Sequence, residues 1–357
     1  MRKAIIVEAK TPDTDKITLK LHLEELERLL NSLNIEVVKK AIQNRYKIHP
    51  ATYVGEGFLS ALETKDIDYI AFDNKLSPSQ KRNIKRITGL TPIDRENVIL
   101  QIFKNHAKTK EAKIQVELAE LKTILSELKG RKTNLAQQVG AIGVKGGKGE
   151  KQIELDRRKI QKRIAFLKRE LKKIESRKEH IHKSRENIFK ISIAGYTNAG
   201  KSTLLNTLTK ANVSAKDKLF MTLDTTTRKL HLYENRYAVL SDTVGFIRKL
   251  PHHLVASFKS TFAVITYSDL IIQLVDITSN NFEEEIEVVH KELQKECEKI
   301  PKLLIFNKID LTNKMHLDRV KALYPHAIFI SAKEKLNIEE LKEAILIYYK
   351  KWKNLSS

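Results

Sequence analysis

The stretch FKISIA at 189–194, running straight into GYTNAGKST at Gly195–Thr203, limits the possible folds of this chain more than any other segment. An apolar strand, a loop of the form G-x-x-x-x-G-K-[ST] and a following helix make a phosphate-binding loop. Such a loop works at the carboxyl end of a strand in an open, largely parallel sheet. Gly195 and Gly200 allow a tight anion-wrapping turn. The backbone amides from Asn198 and Ala199 through Gly200, Lys201, Ser202 and Thr203 can point at phosphates, aided by the helix N-terminus. Lys201 is expected to reach the β- and γ-phosphates and the Ser202 hydroxyl to coordinate Mg²⁺.

Three further elements follow in order, each after a strand-like run. Asp242-Thr-Val-Gly245 follows Tyr237–Leu240. Asp242 is expected to hold Mg²⁺ through water and the Gly245 amide to sense a γ-phosphate. Asn307-Lys308-Ile-Asp310 follows Leu303–Phe306, and Ser331-Ala332-Lys333 follows Ile328–Ile330. The Asp310 carboxylate can accept from guanine N1–H and the 2-amino group, a donor pair that adenine lacks. Lys308 is expected to lie over the purine ring, and the backbone at 331–333 to meet guanine O6. The segment Leu219–Arg228 holds Thr222, Thr225, Thr226 and Thr227. One of them should complete the Mg²⁺ shell, which makes Thr225–Thr227 the first switch and Asp242, Gly245 and Phe246 the second. Phe246 stands where many GTPases carry a water-orienting glutamine, so intrinsic hydrolysis should be slow. Asn198 is a candidate K⁺ ligand that would compensate, or a residue that simply tolerates the loop's backbone.

At 357 residues the chain exceeds one ordinary core. Residues 1–104 alternate strand candidates (Ala4–Glu8, Glu36–Lys40, Tyr69–Phe72, Val98–Gln101) with helix candidates at 19–32 and 78–88, the pattern of a small α/β subdomain. Asp68, Asp73 and Asp94 are scattered there and read as solvated or capping residues. Over 105–187, apolar residues at heptad spacing (Ile114, Leu118, Leu121, Leu125, then Ile153, Ile160, Ile164, Leu167, Leu171) predict a long antiparallel helical hairpin. Its connection, 130–149, holds six of the 12 glycines, four basic residues and no acid. Residues 188–350 form the GTPase domain and 351–357 a tail. The fold class is therefore α/β: a small α/β subdomain, a hairpin, and a P-loop GTPase domain with a mainly parallel sheet.

The net charge of +22 points to polyanionic partners. Residues 105–187 carry 23 basic and 11 acidic side chains, more than half of that excess. A solvated helix surface or a nucleic-acid contact would both produce it. Arg131, Lys132, Lys145 and Lys148 in the connection, with Arg157 and Arg158 behind it, are the RNA-contact candidates. A single cysteine excludes an internal disulfide, and no apolar run is long enough to span a bilayer. A cytoplasmic monomer is the expectation.

FDNKLSPSQKRNI at 72–84, IDREN at 93–97, LDRRKIQKRI at 155–164 and above all DTVGFIRKLP at 242–251 make the whole chain resemble the HflX GTPases. The family's RGPGE-like run in the hairpin loop is KGGKGE here, at 145–150. The resemblance implies binding of GTP and GDP, Mg²⁺ with Thr226 as its threonine ligand, association with ribosomal RNA of the large ribosomal subunit, and a part in ribosome splitting, recycling or rescue. A nucleotide-switched RNA-binding adaptor with little turnover is the alternative. A membrane-associated signalling GTPase is disfavoured, since no lipidation signal is present.

Overall fold

A computed structural model describes residues 1–139, 148–183, 187–209, 220, 226–234, 236–249 and 264–356. The chain forms two compact units, one of residues 1–105 with 114–170 and one of 106–113 with 171–357.

In the first unit, strands β1 (Arg2–Lys10), β2 (Ile35–Asn44), β3 (Tyr69–Phe72) and β4 (Thr91–Asp94) form a parallel sheet in the order β2-β1-β3-β4. β1 is central, so its run from Ala4 to Ala9 is buried on both faces and reads as continuous apolar sequence apart from Glu8. Helix α1 (Lys16–Ser32) buries Leu19, Leu23, Leu26, Leu29 and Leu30 along one stripe. Helices α2 (Glu56–Ser60) and α3 (Pro78–Thr88) follow. The sequence SPSQ at 77–80 sets the start of α3. Ser77 and Gln80 make a reciprocal capping box, Pro78 enters the first turn, and Gly89 ends the helix at φ 72°.

The fourth strand corrects the sequence reading. Val98–Gln101 lies inside helix α4 (Arg95–His106), and the strand is the preceding Thr91–Asp94. Asp94 decides this by accepting from the Asn97 amide at 2.9 Å while its own amide donates to the Asn97 side chain at 3.3 Å. The chain is thereby capped into a helix just before the apolar run. IDREN is thus a strand end and a cap. Its arginine does a second job. Arg95 is buried, donates to Asp73 at 2.6 Å and also pairs with Glu25. Burial alone would push the guanidinium pKa down, but Glu25 and Asp73 together hold it above its ordinary value. Asp73 is therefore a buried ion-pair partner and not a solvated residue, whereas Asp68 stays near the surface and accepts from the Lys3 amide.

Helices α5 (Lys110–Val139) and α6 (Lys148–Lys183) are the two long helices. The 36 residues of α6 extend on the order of 54 Å. Their connection is shorter than the 20 residues that composition suggests. α5 runs through Gly130 to Val139, because 131–139 holds no glycine or proline to stop it. The heptad stripe is partly covered: Ile114, Leu118 and Leu167 are buried, while Arg163 clamps Glu117 with two bonds of 2.7 and 3.0 Å.

The second unit carries a six-stranded sheet in the order β10-β9-β8-β5-β7-β6. Its strands are β5 (Lys190–Gly195), β6 (Thr226–Tyr233), β7 (Arg236–Asp242), β8 (Leu270–Asp276), β9 (Lys302–Asn307) and β10 (Ile328–Phe329). All neighbours are parallel except β6 with β7. Helices α7 (Lys201–Thr209), α8 (Phe282–Cys297), α9 (Lys314–Leu323) and α10 (Ile338–Ser356) accompany it. The supposed tail is the last turns of α10, where Trp352 packs against Phe189 and Tyr349. Among the described residues no helix is long and apolar enough to cross a membrane.

Replacing Arg95 by Ala leaves Glu25 and Asp73 as buried charges without their guanidinium. A loss of about 3–5 kcal/mol from the first unit is expected. Hydrogen exchange of the β1 and β3 amides in the intact protein measures it, and unchanged protection would contradict the ion-pair account.

Candidate nucleotide-binding site

The four sequence elements converge at the carboxyl ends of β5, β7, β9 and β10. The phosphate loop leaves β5 at Gly195, whose missing side chain is required: a Cβ there would stand 2.3 Å from the Leu274 carbonyl oxygen of the neighbouring strand. Asn198 adopts φ 66° with its side chain exposed, a conformation asparagine accepts more readily than most residues. Gly200 sits at φ 94°, and a Cβ on it would meet the Asn307 amide nitrogen at 2.3 Å.

That contact is the centre of the base side. The Asn307 amide donates to the Ala199 carbonyl at 2.8 Å and accepts from the Ala332 amide at 2.9 Å. Thr207 of α7 also donates to the Ala332 carbonyl, at 2.7 Å. One buried side chain therefore ties the phosphate loop to the 331–333 loop. Sequence reasoning had placed Asn307 at the base without this clip, because its partners lie 108 and 25 residues away. Lys308 stands at φ 68°, and its ammonium pairs with Asp276 at 2.6 Å. No motif had singled out Asp276; its place at the end of β8, beside Asn307 in the β8–β9 register, is the signal that finds it. Asp310 lies exposed in the 3₁₀ turn Ile309–Leu311 that follows. Ser331 and Ala332 are buried, whereas Lys333 points outward beside Glu334.

On the phosphate side, the Lys201 ammonium donates to the carbonyls of Gly195 at 3.1 Å and Tyr196 at 2.7 Å. Its burial lowers its pKa from 10.5 to about 8, against the opposing pull of Asp242 and Glu285. Between about 8 and 10.5 the folded protein holds fewer protons here than the unfolded chain. This group's contribution to stability therefore rises with pH across that window. The Ser202 hydroxyl donates to the buried Asp242 carboxylate at 2.6 Å. Thr226 opens β6 directly opposite Asp242 in the antiparallel ladder, while the Thr227 hydroxyl meets Ser241 at 3.1 Å. Thr222 and Thr225 lie outside the described residues. The Ser202 hydroxyl and the Asp242 carboxylate in contact, with Thr226 in register, make a hard-oxygen donor set of the kind Mg²⁺ takes.

Three family models match in succession: the N-terminal region of GTP-binding GTPases over residues 20–104, their middle region over 106–185, and the 50S ribosome-binding GTPase over 190–308. The GTPase HflX of Lacrimispora saccharolytica is 42% identical over 347 residues, covering 95% of this chain and 81% of that protein. The chain belongs to the HflX family of GTPases. The Escherichia coli HflX is 38% identical over 332 residues, 90% of this chain and 78% of that protein. Among solved structures, the crystal structure of an SsGBP–GDP complex aligns over the full length of both chains with a TM-score of 0.55 and 28% identity. This HflX-family chain is accordingly an enzyme that binds and hydrolyses GTP. Of the RNA-contact candidates, Arg157 and Arg158 both pair with Glu154, at 3.7 and 3.4 Å. Lys145 lies outside the described residues, as do the side chains of Arg131, Lys132 and Lys148.

Asn307→Ala leaves the Ala332 amide and the Ala199 carbonyl buried without this partner, at about 1–3 kcal/mol each. GTP and GDP affinity should fall together by roughly tenfold or more, with guanine selectivity retained. Equilibrium titration with both nucleotides checks this, and a loss confined to selectivity would contradict it.

Proposed function

We propose that this GTPase acts on the ribosome, binding the large subunit through RNA and coupling GTP hydrolysis to ribosome splitting, recycling or rescue. The observation that carries the nucleotide part of the reading is the Asn307 clip, which ties the base loops and the phosphate loop into one preformed site. The description of the matching GTPase model, 50S ribosome-binding, supports the partner.

Within that site, the amides from Asn198 to Thr203 and the Lys201 ammonium bind the phosphates. Asp310 reads guanine, and Lys308, steadied by Asp276, covers the ring. The backbone at Ser331–Lys333 meets the base edge. Ser202, Thr226 and Asp242 are the residues that would hold Mg²⁺, which when bound neutralises charge on the β- and γ-phosphate oxygens. Gly245 senses the γ-phosphate. Phe246 is buried at 4% exposure, so the side chain next to Gly245 is committed to packing and cannot orient water. This favours slow turnover until a partner supplies the missing group. It also supports the second reading, an RNA-binding adaptor that turns over little by itself. K⁺ held near Asn198 remains a proposal distinct from both.

Two measurements test the scheme. Asp310→Asn should lose GTP affinity and gain xanthosine triphosphate, because the amide sets a donor against guanine's donors. Unaltered preference would remove Asp310 as the base reader. Purified large subunits should bind the protein and accelerate its GTP hydrolysis. Changing Arg131, Lys132, Lys145 and Lys148 together to Ala should weaken that binding by on the order of 1 kcal/mol per contacting residue and flatten its salt dependence. Cosedimentation and phosphate release across a salt series give both readouts. Binding with the same salt slope would move the anchor elsewhere on the protein.

A further inference from the structure

The edge of the first sheet carries a feature that the nucleotide site does not use. β2 is an outer strand of 10 residues, with β1 on one side and no strand among the described residues on the other. An open edge of this kind offers unpaired N–H and C=O groups to a further strand. In the second half of β2, Ala41 faces the core that Leu59 and Ile84 supply from α2 and α3. By alternation Lys40, Ile42 and Asn44 stand on the opposite face of the sheet. They line a cavity of about 540 Å³ together with Lys10 at the end of β1 and the first half of α1.

The cavity combines an apolar lining with cationic groups. Leu19 and Leu23, one turn apart on α1, and Ile42 of β2 supply the apolar part, and Ile42 is left 44% exposed. Lys10, Lys16, Lys20 and Lys40 supply the charge, against one acid, Glu24. Lys40 pairs with Glu27 at 2.5 Å and Lys20 lies 3.8 Å from Glu24. Lys10 and Lys16 have no acidic partner among the described residues.

A strand added beside β2 would lie in the plane of the sheet and send every second side chain to the α1 face. The cavity is on that face and at that edge, so open backbone and apolar lining address one ligand. The lysines call for acidic side chains at neighbouring positions of the same face. A second copy of this chain does not suit, because its own β2 would bring Lys39 and Lys40 against these lysines. A nucleic-acid strand does not suit either, since no aromatic side chain lines the cavity for a base to stack on.

We propose that the β2 edge and the groove beside α1 dock a partner protein that contributes an extended acidic–apolar segment as a further strand. Its backbone pairs with β2. An apolar side chain fills the cavity against Leu19, Leu23 and Ile42, and acidic side chains two residues to either side meet Lys10 and Lys16.

The probe is a short fluorescein-labelled peptide in which Glu and Leu alternate on one face and Thr occupies the other. Titrated against the full chain by anisotropy, it should bind saturably, and its Gln-for-Glu counterpart should bind about threefold or more weakly. Ile42→Asp should weaken binding by about tenfold or more, as the anchor loses its apolar burial. Lys10→Ala combined with Lys16→Ala should weaken it by roughly 3- to 10-fold, an effect that shrinks as salt rises. GTP affinity should stay unchanged in these variants, whose substitutions lie in the first unit. Hydrogen exchange in the unaltered protein needs no variant to fold: the peptide should slow the β2 amides that do not face β1. Absence of saturable binding, binding undiminished by Ile42→Asp, or β2 amides left unslowed overturns the docking site. Tighter binding of a single-stranded RNA of equal charge, lost in the same Ile42→Asp variant, overturns it in favour of a nucleic-acid contact.

Discussion

The nucleotide site depends on one buried amide. Asn307 bonds to Ala199 on one side and Ala332 on the other, so three loops that leave different strands share a single geometry. The contact works only because Gly200 has no side chain to fill the space where Asn307 arrives. A loop site assembled from β5, β9 and β10 would otherwise have to order its parts as the nucleotide bound, and the ordering entropy would be taken from affinity. Here the ordering is done in folding, by the parallel register that brings Asn307 opposite Asp276 and sets both at the sheet's carboxyl edge.

Around this joint the charges are arranged for a ligand that brings many negative ones. Lys201 donates to two carbonyl oxygens, and its burial keeps its pKa down at about 8. Phosphate oxygens next to that ammonium would favour its charged form. Ser202 and Asp242 are already in contact, so a hydroxyl and a carboxylate oxygen are brought together by the end of β7 and the start of α7. The switch residues take part in the same economy of space. Phe246 sits where a polar side chain would serve catalysis, and its ring is buried instead.

The first unit solves a different problem. Its short parallel sheet ends in buried carboxylates, Glu8, Asp73 and Asp94, that have to be answered from the surrounding elements. Tyr53 donates to Glu8, Arg95 joins Asp73 to Glu25, and Lys81 meets Asp94 at 3.0 Å. These pairings link β1, β3 and β4 with α1 and α3. Desolvation offsets much of their attraction, whereas removing one partner leaves a buried charge uncompensated.

Local chemistry was written in the order of residues. The strand before Gly195, the loop's glycines, the order of DTVG, NKID and SAK, the capping box at Ser77 and the heptad stripes are short-range patterns, and each produced the element it indicated. What sequence could not carry was any pairing across long separations. Val98–Gln101 has the composition of a strand, and only the Asp94–Asn97 cap turns it into helix. Asp73 looked solvated until Arg95, 22 residues on, arrived beside it in the core. Asn307 as a clip, Asp276 as the partner of Lys308, and Tyr196 as the acceptor for Arg248 are decided by strand register and loop closure. The periodicity of a sequence specifies which face of an element is apolar, but which side chains from distant elements meet at that face is settled only when the sheet has formed.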